Sequence, residues 1–413
     1  MGNIIKPVEK MSKRERFLNV FEYRDLDHIP DVEFGYWEET LKRWHNDGLP
    51  RWVIDDTKAQ TFFGLEGRKT EISVGEKIPL GILFGPPIDL YESVVPFDKF
   101  KSEILREDDR KRVLRDEAGL VSIQWKAGAG TSIPEFLQFP VKNKESWNDY
   151  KDRFDLDGIR YPENWEELKE RYEERSYPLG VSGGGYFGWA RHLMGLERFS
   201  ITFYRDPDLI RDMFKFRTEM VLRAIGKAVR EVKPTIDFAH WWEDMCYNKG
   251  PLLSPKLFKE FMVPEYKRVT SFLKDHGIWI NILDCDRDIN SLVPLWLDAG
   301  INCMFPLEVN AGSDPAELRE KFGRRVLLMG GFDKLALIKG KKATEMELER
   351  LKPLIEEGGY IPHVDHRVPA DVSYEDYLYY LANKRKIIFQ SSSAVVPDYY
   401  YEFRYRETST QAL

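Results

Sequence analysis

"IWINILDCDRDINSLVPLWLDAGINCMFPLE", residues 278–308, is the stretch on which the fold turns. Residues 278–284 form a short apolar run that ends in an acid. Residues 289–300 then carry apolar side chains at helical spacing up to a stop at Gly300, and residues 301–308 form a second apolar run ending in Glu308. A strand, a helix and a strand in this order read as parallel neighbours joined by a crossover helix.

The same unit recurs on both sides. "TIDFAHWWED" (235–244) precedes "SPKLFKEFMVPEYKRVTSFLKDHG" (254–277), where Ser254 reads as the N-cap, Pro255 as the first helical residue and Gly277 as the stop. After Glu308 comes "DPAELREKFG" (314–323), with Asp314 as cap and Gly323 closing. "RVLLMGGFDK" (325–334) and "GGYIPHVDH" (358–366) complete five strands, each ending in polar or charged residues. Earlier, "DHIPDVEFGYW" (27–37) and "YPLGVSGGGYFGW" (177–189) read as strands that open into glycine- and aromatic-rich loops.

Seven or eight such units in 413 residues predict α/β class, a single (β/α)8 TIM barrel over residues 1–390, with an open parallel sheet as the alternative. The rhythm breaks over about residues 65–165. There "ISVGEKIPLGILFG" (72–85), "AGLVSIQWKAGAGTS" (118–132) and "FLQFPVK" (136–142) predict strands and hairpins, a β-rich insertion able to cap a pocket. Residues 391–413 read as a C-terminal extension whose tyrosines would pack on the body or on the second subunit of a homodimer. The glycines of "SGGGYFGW" lack the spacing of a dinucleotide-binding turn and read as a tight loop beneath a ligand.

The composition is 42% hydrophobic and 32% charged, with a formal net charge of −7. An acidic balance offers no general field for nucleic acid or anionic lipid. No apolar run approaches the roughly 20 residues that span a bilayer, and the first residues lack a signal peptide. The three cysteines, Cys246, Cys285 and Cys303, are too few for a disulfide framework and fit a reducing compartment. The expectation is a cytoplasmic enzyme.

In a barrel, side chains at the C-terminal strand ends converge on one face. That rule selects His240, Glu243 and Asp244; Asp284, Cys285 and Asp286; Glu308; and His363, Asp365 and His366. Carboxylates with imidazoles suit a divalent metal such as zinc, manganese or iron, and a cation relieves the repulsion among buried acids. In an extended Asp-x-Asp the two acids point to one side, so Asp284 and Asp286 face the axis while Cys285 turns to the helices. Cys285, Cys303 and His192 read as structural, and Asp288 as a helix cap. Tyr186, Phe187, Trp241 and Trp242, with His240, are candidate walls of a pocket for a flat apolar ligand.

The runs "FAHWWEDMCYNKGPLLSPKLFKEFMVPEYKRV" (238–269), "LMGGFDK" (328–334) and "EEGGYIPHVDHRVPADVSYEDYLYYL" (356–381) resemble the uroporphyrinogen decarboxylase superfamily, and within it the methyltransferases that work with corrinoid proteins. The resemblance, from about residue 12 to 390, implies the same barrel. Decarboxylases of the superfamily bind porphyrinogen carboxylates through an N-terminal arginine-rich stretch, and "DHIPDVEFGYW" has none. Its methyltransferases hold zinc with a His-x-Cys pair and a later cysteine. Those places correspond here to Asp284-x-Asp286 and His366, with Glu243 as the expected fourth ligand.

The resemblance therefore implies a methyltransferase moving a methyl group from a small methylated substrate, a methoxylated aromatic for instance, to cob(I)alamin on a separate corrinoid protein. Activation is expected from the metal, zinc first, or from acid–base groups at Glu243, His363 or Asp365. The rival expectations are a decarboxylase or other lyase acting on a carboxylated substrate, and a non-catalytic corrinoid-handling protein.

Overall fold

The computed structural model describes residues 10–66, 95–126 and 135–389, and places residues 278–308 in the middle of a parallel sheet. An antiparallel meander comes first, with β1 (Glu103–Glu107), β2 (Lys111–Arg115), β3 (Val121–Trp125) and β4 (Glu135–Gln138) paired in sequence order. The parallel strands are β5 (Gly180–Gly184) and β6 (Phe238–Trp242), then, after a small hairpin of β7 (Cys246–Tyr247) and β8 (Gly250–Pro251), β9 (Ile280–Asp284), β10 (Cys303–Phe305), β11 (Leu327–Met329) and β12 (Tyr360–Ile361). Their order is β12-β11-β10-β9-β6-β5, so each strand lies beside its predecessor among the parallel strands. Helices fill every connection, as right-handed crossovers require.

The caps sit where local chemistry puts them. Ser254 accepts from Leu257 N, and Asp314 from Ala316 N and Glu317 N. The helix after Ser254 passes through a π turn, Phe258–Met262, before Val263–Asp275; Pro264 cannot donate to the preceding turn, and the hydrogen-bond ladder slips there. Asp288 is not a helix cap: its Oδ1 accepts from Asn290 N and Nδ2 in a local turn, and the next helix is Val293–Asp298.

The expected first strand is reduced to one parallel bridge, Tyr36 with Val368. The cause is competition from side chains. Asp31 N donates to Glu66 Oε1 and Tyr36 N to Asp56 Oδ1, which removes them from any ladder. The segment is still held against the loop that follows β12, since Val368 N donates to Gly35 O and Trp37 N to Val368 O. Behind it lies a buried ionic cluster. Lys384 Nζ, 0% exposed, meets Glu33 Oε1 at 2.6 Å, Asp31 Oδ1 at 2.9 Å and Val32 O at 3.0 Å, while Arg385 Nε meets Asp31 Oδ2 at 2.7 Å. This cluster ties the start of the chain to the final helix, Tyr374–Ile388.

Of the expected insertion strands, residues 72–85 lie outside the described residues, while 118–132 and 136–142 contribute β3 and β4. The extension at 391–413 also lies outside them. Among the described residues no helix is long and apolar enough to cross a membrane.

Candidate active site

Register decides which side chains meet at the strand ends. Trp242 of β6 pairs with Asp284 of β9, and Asp284 with Phe305 of β10. Paired residues of neighbouring strands project to the same face, so Asp284 leaves the sheet at one level with Trp242 and Phe305 of the flanking strands. Asp284 is 6% exposed, and among the described residues no hydrogen bond or ion pair reaches its carboxylate. Burial first, then the charges of Asp286 and Asp244, push its pKa well above the usual carboxylate range.

Asp286 follows in the loop and meets His366, with Nε2 to Oδ2 at 3.6 Å. Its Oδ1 is buried with no partner. His366 in turn packs edge-on to Phe34, with ring centroids 5.3 Å apart, and stacks on Trp37 at 5.8 Å. Phe34 also touches Phe305 at 4.8 Å. The structure thus brings Asp284, Asp286 and His366 together. Phe34 and Trp37 stood in the segment read from sequence only as a strand opening into an aromatic loop; the composition of "EFGYW" was the available signal.

Glu243 does not join them. It follows Trp242 and so projects to the opposite face, toward the helices. One oxygen accepts from Tyr186 N at 2.8 Å and from the Tyr266 hydroxyl, the other from Phe187 N at 2.7 Å. These amides open the helix Phe187–Met194, so the carboxyl caps a helix start. Burial raises its pKa to about 7 against the pull of those hydrogen bonds.

The pocket wall expected from Tyr186, Phe187 and Trp241 is core instead. Each is at most 1% exposed: Tyr186 bonds Thr218 Oγ1, Phe187 packs on Phe199, and Trp241 Nε1 donates to Asn281 Oδ1. His240, 7% exposed, lies two residues below Trp242 on its face, and Trp242, half-buried, stacks on His192.

The glycines of "SGGGYFGW" make this packing fit. A Cβ on Gly183 would stand 2.3 Å from the Trp241 ring, and one on Gly185 would stand 1.9 Å from the carbonyl oxygen of Trp242. A backbone atom cannot yield as a side chain does, so Gly185→Ala should lose about 3 kcal/mol of stability in urea unfolding. Wild-type stability in that variant would show that the loop has slack.

The two expected acids of the last strand are also engaged. His363 is fully buried, its Nδ1 donates to Val364 O at 2.7 Å, and burial lowers its pKa to about 3. It is a neutral imidazole with an acceptor Nε2 that has no partner. Asp365 accepts from Val309 N and Lys334 N, with Lys334 Nζ at 3.4 Å, and burial raises its pKa to about 6. Lys334 also bonds Glu308 at 2.9 Å, so Glu308 and Asp365 share one cation. Cys285 and Cys303 are buried at 2% and 0% exposure, as a structural role requires.

A family model, described as uroporphyrinogen decarboxylase (URO-D), matches residues 116–382. The chain belongs to the uroporphyrinogen decarboxylase family. Its fold is accordingly the (β/α)8 barrel, to which the parallel strand order and intervening helices correspond. A solved structure named "methyltransferase from Methanosarcina mazei" is similar, with a TM-score of 0.53, 14% identity, and coverage of 91% of this chain and 99% of that one. No curated protein matches the chain in sequence.

Within this member of the uroporphyrinogen decarboxylase family, the four residues expected to ligate zinc do not form one shell. Both Glu243 oxygens serve backbone and tyrosine donors on the far side of the strand, and the His366 Nε2 faces a carboxylate oxygen. Among the described residues no group of three or more His, Cys, Asp or Glu side chains is arranged to hold a metal ion.

Proposed function

We propose that this protein is a methyltransferase that takes a methyl group from a small methylated compound and delivers it to cob(I)alamin on a separate corrinoid protein. The observation that supports this most is the strand-end row of Trp242, Asp284 and Phe305, with Asp286 and His366 above it, in the barrel of this family. The similarity to a solved methyltransferase supports the same reading. Cob(I)alamin, when its carrier docks at the strand ends, supplies the nucleophile. The chain's own contribution is orientation and an apolar, charge-bearing site that excludes water.

A carboxylated substrate is disfavoured by the charges. Among the described residues, basic side chains around the strand-end acids are paired: Arg191 with Asp244, Arg287 and Lys334 with Glu308, and Arg367 with Asp56 and Tyr36 O. What faces inward is acid. The decarboxylase reading would need the reverse.

Mixing the protein with methylated amines or methoxyarenes and free cob(I)alamin should convert the cobalamin spectrum to that of the methylated form. No conversion with any donor, with free or protein-bound corrinoid, would remove the methyltransferase assignment.

A further inference from the structure

A poor leaving group can be expelled by a Lewis acid or by a proton. The residues expected to ligate zinc do not fit the first course, because Glu243 lies behind its strand with both oxygens bonded. They do supply the second. Burial favours the neutral form of Asp284, so the negative charge of the two acids rests on Asp286. Asp286, a third exposed, turns Oδ2 toward His366 Nε2 at 3.6 Å.

The other candidate acids at the strand ends are taken. His363 is fully buried and donates its one proton to Val364 O; Asp365 is held by two amides and Lys334; Glu308 is held by Lys334 and Arg287. His366 is 19% exposed, and its ring is fixed from three sides. Trp37 stacks on it, Phe34 meets it edge-on, and Asp286 faces one nitrogen. Trp37 is itself 44% exposed, so this group stands toward solvent. Arg367, the next residue, lies over the far ring of Trp37 and is paired with Asp56. A carboxylate at one imidazole nitrogen orients the ring for proton transfer at the other.

We propose that His366, oriented by Asp286, is the catalytic acid of this site and protonates the leaving oxygen of a methoxylated substrate. The inference rests on the methyl-transfer reading. The methyl carbon accepts the electron pair of cob(I)alamin as the carbon–oxygen bond breaks. Oxygen keeps the bonding pair and takes the proton from Nδ1 of the imidazolium, and cobalt goes from the +1 to the +3 state. A neutral alcohol or phenol and a neutral imidazole remain. Both His366 and Asp286 are open enough to regain the proton from water. Asp286 is a positioning residue, holding Nε2 and serving as counter-ion of the imidazolium.

The experiment compares methyl transfer from 4-methylanisole and from 4-methoxybenzonitrile to cob(I)alamin, using the full chain. The two donors are similar in size. The nitrile withdraws charge from the departing oxygen, which then depends less on a proton. His366→Gln should slow 4-methylanisole by about 100-fold or more and 4-methoxybenzonitrile by about tenfold or less. Asp286→Asn should show the same split with a smaller loss, because the acid stays and only its orientation goes. Asp284→Asn should slow both donors alike. Circular dichroism checks each variant for folding, and Asp286→Asn carries the test if His366→Gln does not fold.

Equal losses with the two donors in His366→Gln, or no loss, overturn the inference and leave the methyltransferase standing. A split seen in Asp284→Asn and not in His366→Gln does the same. So does transfer from ammonium or sulfonium donors alone, since their leaving groups depart neutral without a proton. One equivalent of zinc in the purified chain that His366→Gln removes makes this residue a ligand and overturns its role as the acid. Absence of transfer from any donor is the distinct result that removes the methyltransferase reading, and this inference with it.

Discussion

Lys384→Met should lower the folding stability by about 3–5 kcal/mol in urea unfolding at pH 7. The side chain is fully buried and holds Glu33 at 2.6 Å and Asp31 at 2.9 Å. Burial opposes its charge, yet the two carboxylates outweigh burial and hold its pKa above the usual lysine value. Methionine fills a similar volume but, among the described residues, leaves Glu33 with Tyr380 and the Val364 amide as donors, and Asp31 with Arg385. An uncompensated buried charge is the main cost.

The sign of the pH dependence follows. A lysine whose folded pKa is raised contributes stability that is complete below its unfolded value, near 10.4, and is lost only above it. The lysine itself therefore adds no slope below about pH 9, whereas the deficit of the variant should shrink as the pH falls, because Glu33, whose pKa burial already raises, is protonated more readily without its cation. Adding Glu33→Gln should restore part of the loss, because one of the stranded charges goes too. Lys386→Ala, which removes only an exposed contact to Asn383, should stay within about 0.5 kcal/mol of wild type. A Lys384→Met chain as stable as wild type would mean that the cluster contributes nothing to closing the first segment on the last helix.

Asp284→Asn should move stability and function in opposite directions. The acid is buried, has no partner among the described residues, and feels the charges of Asp286 and Asp244, so its charge works against the fold. Its folded pKa lies above the unfolded value, near 3.9. The penalty is therefore absent below that pH and grows as the pH rises toward the folded pKa. The asparagine chain should match wild type near pH 4 and exceed it by about 1–2 kcal/mol at pH 8, in thermal unfolding across that range. On the proposed function, methyl transfer to cob(I)alamin should fall by about 100-fold or more, because Asp284 stands at the strand ends where that reading seats the substrate. Strain held at a site and relieved by a variant that loses activity is the expected trade. An asparagine chain that is less stable at every pH would show that Asp284 is a structural acid with a partner.

The four-residue site expected from the strand ends was half legible. That Asp284 and Asp286 lie at the end of a strand follows from periodicity, and the structure sets His366 beside Asp286. Glu243 was legible as a strand-end acid but not as a helix cap. Its role depends on the Tyr186 and Phe187 amides, 57 and 56 residues away in sequence, arriving at its carboxyl. The aromatic wall was misassigned for a similar reason. Tyr186, Phe187 and Trp241 have the composition of a pocket, and only packing against Thr218, Phe199 and Asn281 shows them to be core.

Sequence alone determined the features that local physics controls. Apolar runs of strand length, Ser254 and Asp314 at helix starts, and glycines at the stops act within a few residues, and these read out an α/β barrel. The tertiary structure alone decided the rest: which residue of a strand-end pair faces inward, which acids find a donor, and which rings are taken into the core. Those outcomes depend on register between strands and on contacts spanning hundreds of residues, such as Glu33 with Lys384 and Phe34 with His366. A one-residue change of register would exchange the faces of Asp284 and its neighbours, and no local signal in "NILDCDRDIN" could report it.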